Sequence, residues 1–271
     1  MKKRVIAAVV LLPLLLLVVL ALPKIFTGIL FGIMAALGAY ELLRGTGFVN
    51  QTRLIIYAMV MAFLVSLWSS LWAQPVLARL GILAFICLLF AELLLSGAKL
   101  PFETLAVTLA AGVLVPYLLS ATVRIHSWNN GRYFILLPFV IAFLSDTGAY
   151  FAGRAFGRRK LAPVISPNKT IEGVVGGVVG AIVGVLIYCL VLQFAFEFTV
   201  RYLYVALYGI TGSLAAVFGD LAFSAVKRQT GIKDYGNLIP GHGGILDRFD
   251  SMTVVAPLVE LLMLYIPLVV K

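Results

Sequence analysis

The sequence predicts an all-α protein, a polytopic membrane helical bundle of about nine transmembrane helices, with its N-terminus cytoplasmic. Three observations carry that reading. Of the 271 residues, 62% are hydrophobic and only 12% are charged, about half the charged share of a soluble domain. The mean hydropathy is +1.09, so there is too little polar side chain to cover a water-facing surface. Apolar runs of roughly the 17–25 residues that a bilayer requires recur from end to end.

The runs fall near 5–22, 25–43, 54–73, 76–96, 103–122, 133–152, 171–194, 201–222 and 251–270. Pro, Gly, Asn or charge separates them, as at helix ends. The break at Gln74–Pro75 is very short. The first run follows Met1, Lys2, Lys3 and Arg4 in the manner of a signal peptide. No small-x-small cleavage site follows at Leu22-Pro23-Lys24, so it is read as a spanning helix. Residues 1–130 offer little chemistry and read as scaffold and lipid access. Glu41 and Glu92 stand near predicted cytoplasmic ends and are expected to reach the interface. Trp68, Trp72 and Trp128 fall near the predicted outer boundary, where indoles prefer to sit. In the seventh run, Gly173, Gly176, Gly177, Gly180 and Gly184 give small-residue faces suited to close helix packing, which leaves room for a homodimer.

The formal net charge is +10, from 21 Lys and Arg against 11 Asp and Glu. The basic residues lie in short connections between apolar runs, which membrane topology explains, so no nucleic-acid partner is implied. With the N-terminus inside, most of them are cytoplasmic, including those of the loops 153–170 and 224–250. Lys24, Arg79, Arg124, Arg132, Arg201 and Lys271 fall outside. The orientation rests mainly on those two loops. Cys87 and Cys189 both sit inside apolar runs and read as buried free thiols rather than a disulfide.

Chemistry concentrates in 131–271. The stretch Ser224–Asp250 packs Lys227, Arg228, Lys233, Asp234, His242, Asp247, Arg248 and Asp250 among glycines. Basic side chains, bare amides and carboxylates together suit a metal–polyphosphate complex. Asp146 and Asp220 lie in the cytoplasmic thirds of the sixth and eighth runs, where charge is costly and usually functional. Asp247 and Asp250 open the ninth run from the same side, about 60° apart on a helix. Four carboxylates meeting at helix ends need cations between them, and oxygen ligands with open positions suit Mg2+. Pairing of these acids with Lys227 or Arg248 is the structural alternative. In the loop 153–170, Arg154, Arg158, Arg159 and Lys160 can clamp phosphates, and positive-inside topology explains some of them equally well. Asn168 or Thr170 can cap the seventh helix, with Lys169 placed where an anion is favoured. Ser224 and Lys227 follow Asp220 at helical spacing and share its face. His242 is expected in an anion-binding turn with the amides of Gly243 and Gly244, the structural alternative being a hydrogen bond within its own loop, whereas His126 reads as an ordinary outer-loop residue. No nucleophile elbow, Walker or His-Glu-x-x-His pattern occurs.

Ser224, Lys227-Arg228, Lys233-Asp234, Gly236, Leu238-Ile239-Pro240, His242-Gly243-Gly244, Asp247-Arg248 and Asp250 form a long ungapped pattern. It resembles the signature of the CDP-diacylglycerol synthases (phosphatidate cytidylyltransferases). The block Ser145–Tyr150, with Gly153-Arg154 and Ser166–Thr170, resembles the same family, so the likeness covers roughly 140–271. The resemblance implies an Mg2+-dependent transfer of CMP from CTP to phosphatidic acid, with pyrophosphate released. It makes 131–271 the catalytic region. Asp220 and Asp247 are then expected to hold the metal, with Asp146 and Asp250 as further ligands or beside them, and a second cation is open. Lys169, Lys227, Arg248 and the His242–Gly244 turn are expected to hold phosphates. Ser224, Arg228, Lys233, Asp234, Arg154 and Asn168 are further substrate contacts. The setting implied is the cell (inner) membrane, with the site facing the cytoplasm. A CTP-dependent polyprenol kinase or another lipid cytidylyltransferase keeps the nucleotide and changes the chemistry. A cation-coupled transporter would need a polar path across the bilayer, and the outer halves of runs six to nine offer almost no ionisable groups.

Overall fold

The computed structural model describes residues 13–71, 75–238 and 243–270. Trp72 and His242 therefore lie outside the described residues. Among those described, seven helices are long and apolar enough to cross a membrane: Lys24–Gly45, Thr52–Ser70, Val76–Leu95, Phe102–His126, Gly131–Phe156, Ile171–Phe196 and Leu203–Gln229. The protein is an all-α, polytopic integral membrane protein, with four short strands as its only sheet among the described residues. The chain divides into two compact units, one of Met1–Arg132 with Gln229–Phe249, the other of Tyr133–Arg228 with Asp250–Lys271.

In the first unit, α1 (Lys24–Tyr40) runs on through a π turn at Glu41–Gly45. It packs along α2 (Thr52–Ser70) where glycines let the backbones close. A Cβ at Gly28 would stand 2.6 Å from Ser70 Oγ, and one at Gly32 would stand 2.8 Å from the Phe63 ring. Phe31, Ala35, Ala58 and Ala62 are buried there. Next come α3 (Pro75–Leu95) and α4 (Phe102–Leu109). A π turn at Ala110–Leu114 then leads into α5 (Val115–Leu119) and α6 (Ala121–His126). Pro116 has no N–H to give the preceding turn, which accounts for the wider turn ahead of it. His126 is buried and shares a hydrogen bond of 2.9 Å with Thr27, so it serves as glue between helices rather than as a loop residue.

The short α7 (Gly131–Phe134) straddles the boundary between the units, and α8 (Leu136–Phe156) follows it in the second unit. A hairpin of β1 (Lys160–Ala162) and β2 (Ser166–Thr170) leads into α9 (Ile171–Phe196). The glycines of α9 meet α8: a Cβ at Gly148 would strike the Gly176 carbonyl, and one at Gly177 would lie 3.0 Å from Ser145 O. The small-residue spacing is thus used within the chain. β3 (Thr199–Val200) precedes α10 (Leu203–Gln229). Ser213 of α10 meets Ser145 of α8, Oγ to Oγ, at 2.7 Å. The helix runs about two turns past the apolar stretch 201–222 and so carries Ser224 and Lys227 as helical residues. A short α11 (Leu246–Phe249) belongs to the first unit. The ninth apolar run becomes α12 (Met252–Tyr265), about 21 Å long, with β4 (Val269–Val270) pairing back on β3. It ends at Ile266 because the residue before Pro267 is pushed out of the helical region.

Candidate functional site

The second unit gathers acids and bases around the middle of α10. A Cβ at Gly219 would stand 2.8 Å from Asp250 O and 3.0 Å from Ser251 Cα, so the lack of one lets that backbone lie against the helix. Asp220 is the next residue. Its Oδ2 takes the Lys169 ammonium at 2.6 Å, and its Oδ1 accepts from Ser224 Oγ at 3.1 Å. The serine lies one helical turn on, as the spacing implied. Asp250 is 8% exposed, and its Oδ1 accepts from the Ser251 amide at 2.7 Å. Burial pushes its carboxyl up to about 7, and the Asp220 charge, with a smaller part from Asp146, adds to this. The Ser251 amide and the buried Lys227 act the other way.

Lys169 reaches Asp220 because the hairpin is held at both ends. Thr170 caps α9, its Oγ1 accepting from Gly173 N at 3.0 Å. Glu172 accepts from the amides of Arg158 and Arg159 at 3.1 and 3.2 Å, fixing the backbone where the basic run begins. Arg228 Nε donates to Ile165 O at 3.2 Å, and Arg154 donates to the Tyr150 hydroxyl at 3.2 Å. Asn168 is exposed.

The first unit holds the remaining residues in the loop that follows α10. Asp247 is buried, and its Oδ2 accepts from Tyr235 N at 2.9 Å and Gly244 N at 3.0 Å. Gly243 adopts φ 82°, and a Cβ there would stand 3.0 Å from Asp247 Oδ2 and 3.5 Å from Asp234 Oδ1. A side chain would be strained and crowded at that point. Lys233, Asp234 and Arg248 are exposed.

The residue that sequence reasoning passed over is Glu41. Instead of reaching an interface it is 2% exposed. Its two oxygens accept from Ile245 N at 3.0 Å and Leu246 N at 2.9 Å. Cβ atoms at Gly236 and Gly244 would collide with its carboxylate. The π turn at Glu41–Gly45 is the kind of helix defect that often marks a functional region. The available signal was a single charge inside an otherwise apolar run. Glu260 is likewise buried, in α12.

Among the described residues, no group of three or more His, Cys, Asp and Glu side chains is arranged to hold a metal ion. What the second unit offers is an oxygen pair, Asp220 and Asp250, with Asp146 close enough for its charge to be felt. An acid raised to about 7 by burial, and further by the neighbouring Asp220 and Asp146 charges, marks a place where a cation would be favoured. Such a pair can take a hard divalent ion when substrate phosphates complete the shell.

The chain matches the Cytidylyltransferase family over residues 2–266. It is 41% identical to a phosphatidate cytidylyltransferase of Pseudomonas aeruginosa over 267 residues, 95% of this chain and 94% of that protein. Phosphatidate cytidylyltransferases of Staphylococcus haemolyticus and Staphylococcus saprophyticus are 42% and 41% identical over 136 and 138 residues. The chain spans about half the length of these two, 51% and 52%.

Proposed function

The chain belongs to the cytidylyltransferase family, and on that premise we propose that it transfers the cytidylyl group of CTP to phosphatidic acid. The products are CDP-diacylglycerol and pyrophosphate. The observation that carries the reading is the cluster in which Lys169 and Lys227 stand among Asp220, Asp250 and Asp146. It combines cation ligands with phosphate-binding ammonium groups at the ends of membrane helices.

An oxygen of the lipid phosphate attacks the α-phosphorus, and the bond from that phosphorus to the bridging oxygen of the pyrophosphate breaks. The nucleophile is already anionic near neutral pH, so no strong general base is required. The protein's work is alignment and charge stabilisation. Lys169, released from Asp220 when substrate arrives, holds phosphate oxygens together with Lys227 and Arg248. The Gly243 amide, next to His242 in sequence, serves the triphosphate, whereas the Gly244 amide is held by Asp247 Oδ2. Ser224, Arg228, Lys233, Asp234, Arg154 and Asn168 provide further substrate contacts. Asp220 and Asp247 would hold Mg2+, with Asp146 and Asp250 as further ligands or beside them, and a second cation is part of the same proposal. Magnesium, when bound, supplies charge screening along the triphosphate and polarises the phosphorus under attack.

The site faces the cytoplasm from the inner membrane, where CTP is available and the acyl chains of phosphatidate stay in lipid. A homodimer would use faces other than the α9 glycines, which meet α8. The test is pyrophosphate release by purified protein with Mg2+ and CTP. Release that starts on adding phosphatidate, and not on adding a polyprenol, is expected. Release of none with phosphatidate would overturn the reading.

A further inference from the structure

Separate from both acid-rich clusters, the first unit contains a cavity of about 210 Å³ lined by Gln51, Arg53, Glu92, Ser96 and Lys99, with two leucines. None of these residues belongs to the proposed catalytic set. They come from the start of α2, the end of α3 and the turn leading to α4. Glu92 is already engaged: Arg53 Nη2 stands 3.5 Å from its Oε2, and the Tyr57 hydroxyl donates to its Oε1 at 3.2 Å. Two cations against one acid leave the lining net positive.

The turn that presents Lys99 is unusual. Gly97 and Ala98 take φ of 64° and 59° in succession, and a non-glycine residue there is uncommon. The turn is closed by Gly97 N donating to Leu94 O at 3.0 Å and Ala98 N donating to Leu93 O at 3.2 Å. Ser96 Oγ accepts from Leu100 N at 3.2 Å. Beside this polar cup, Leu94, Leu95 and Phe102 are 78%, 85% and 68% exposed. Along α3 only 11% of the apolar window is buried within the protein. A basic cup at a helix end, continuous with a bare apolar flank, has the amphipathic layout of a phospholipid.

We propose that this cavity takes the phosphate headgroup of an anionic phospholipid whose acyl chains lie along α3. Basic pockets between membrane helices near the interface recognise such headgroups. The site goes beyond the cytidylyl-transfer reading and does not rest on it.

The test is native mass spectrometry of the full-length protein released from detergent, with phosphatidylglycerol, phosphatidylcholine and inorganic phosphate as probes. Phosphatidylglycerol should be retained in preference to phosphatidylcholine. Lys99→Gln and Arg53→Gln should each weaken that retention about fivefold, the attraction of one basic residue at a membrane surface. Both side chains are exposed, so the fold tolerates the changes, and turnover in neutral detergent should be unaltered. Equal retention of phosphatidylglycerol by wild type and both variants would overturn the proposal. Inorganic phosphate competing as effectively as the lipid would overturn it too, pointing to a free-anion site.

Discussion

Glu41→Gln is the perturbation that most sharply separates this account from a view of the N-terminal helices as passive scaffold. The substitution keeps the volume of a side chain that is 2% exposed. One amide oxygen can still accept from Ile245 N or Leu246 N, but the new NH2 faces the other backbone N–H. A charge-assisted bond is lost and a buried donor is left without an acceptor, together costing about 2–4 kcal/mol. For a chain of this size that lowers the unfolding midpoint by about 4 °C or more. The same loop carries Asp247, whose Oδ2 holds the Tyr235 and Gly244 amides, so turnover should fall with stability. Thermal unfolding in detergent and CTP saturation kinetics read the two effects. An unchanged midpoint together with unchanged turnover would refute the idea that Glu41 holds the loop.

Further expectations concern the acids and the helix packing. Asp220→Asn and Asp247→Asn should each lower turnover by about a hundredfold or more, as loss of a transition-state charge contact does; near-normal rates in both would remove the metal role. Asp250 gives a pH signature. Its folded carboxyl sits near 7 against an ordinary 3.8, so its contribution to stability is complete below 3.8 and is lost as pH rises through about 7. Thermal midpoints without Mg2+ should therefore fall across that window, flattening in Asp250→Asn. Proton competition should weaken apparent Mg2+ affinity as pH drops below 7, which titrations at pH 6 and 8 would show. Gly148→Val drives a side chain at the Gly176 carbonyl and should destabilise by about 2 kcal/mol, seen as a lower unfolding midpoint.

Composition and run length made the membrane fold legible, because a bilayer demands apolar stretches of fixed length. The α10 cluster was legible for a related reason: Asp220, Ser224 and Lys227 repeat at helical spacing, and Thr170 stands where a cap is needed. Glu41 escaped because its partners lie about two hundred residues away, and no local pattern encodes such a contact. The shortened α12 follows from Pro267, a local signal that the apolar run masked.

The most direct check on the chemistry is to supply purified protein, phosphatidate and Mg2+ with CTP labelled at either the α- or the γ-phosphorus. Attack at the α-phosphorus predicts α-label in the lipid fraction and γ-label in pyrophosphate. Label from the γ-position appearing in lipid, with none from the α-position, would contradict cytidylyl transfer and make the protein a kinase.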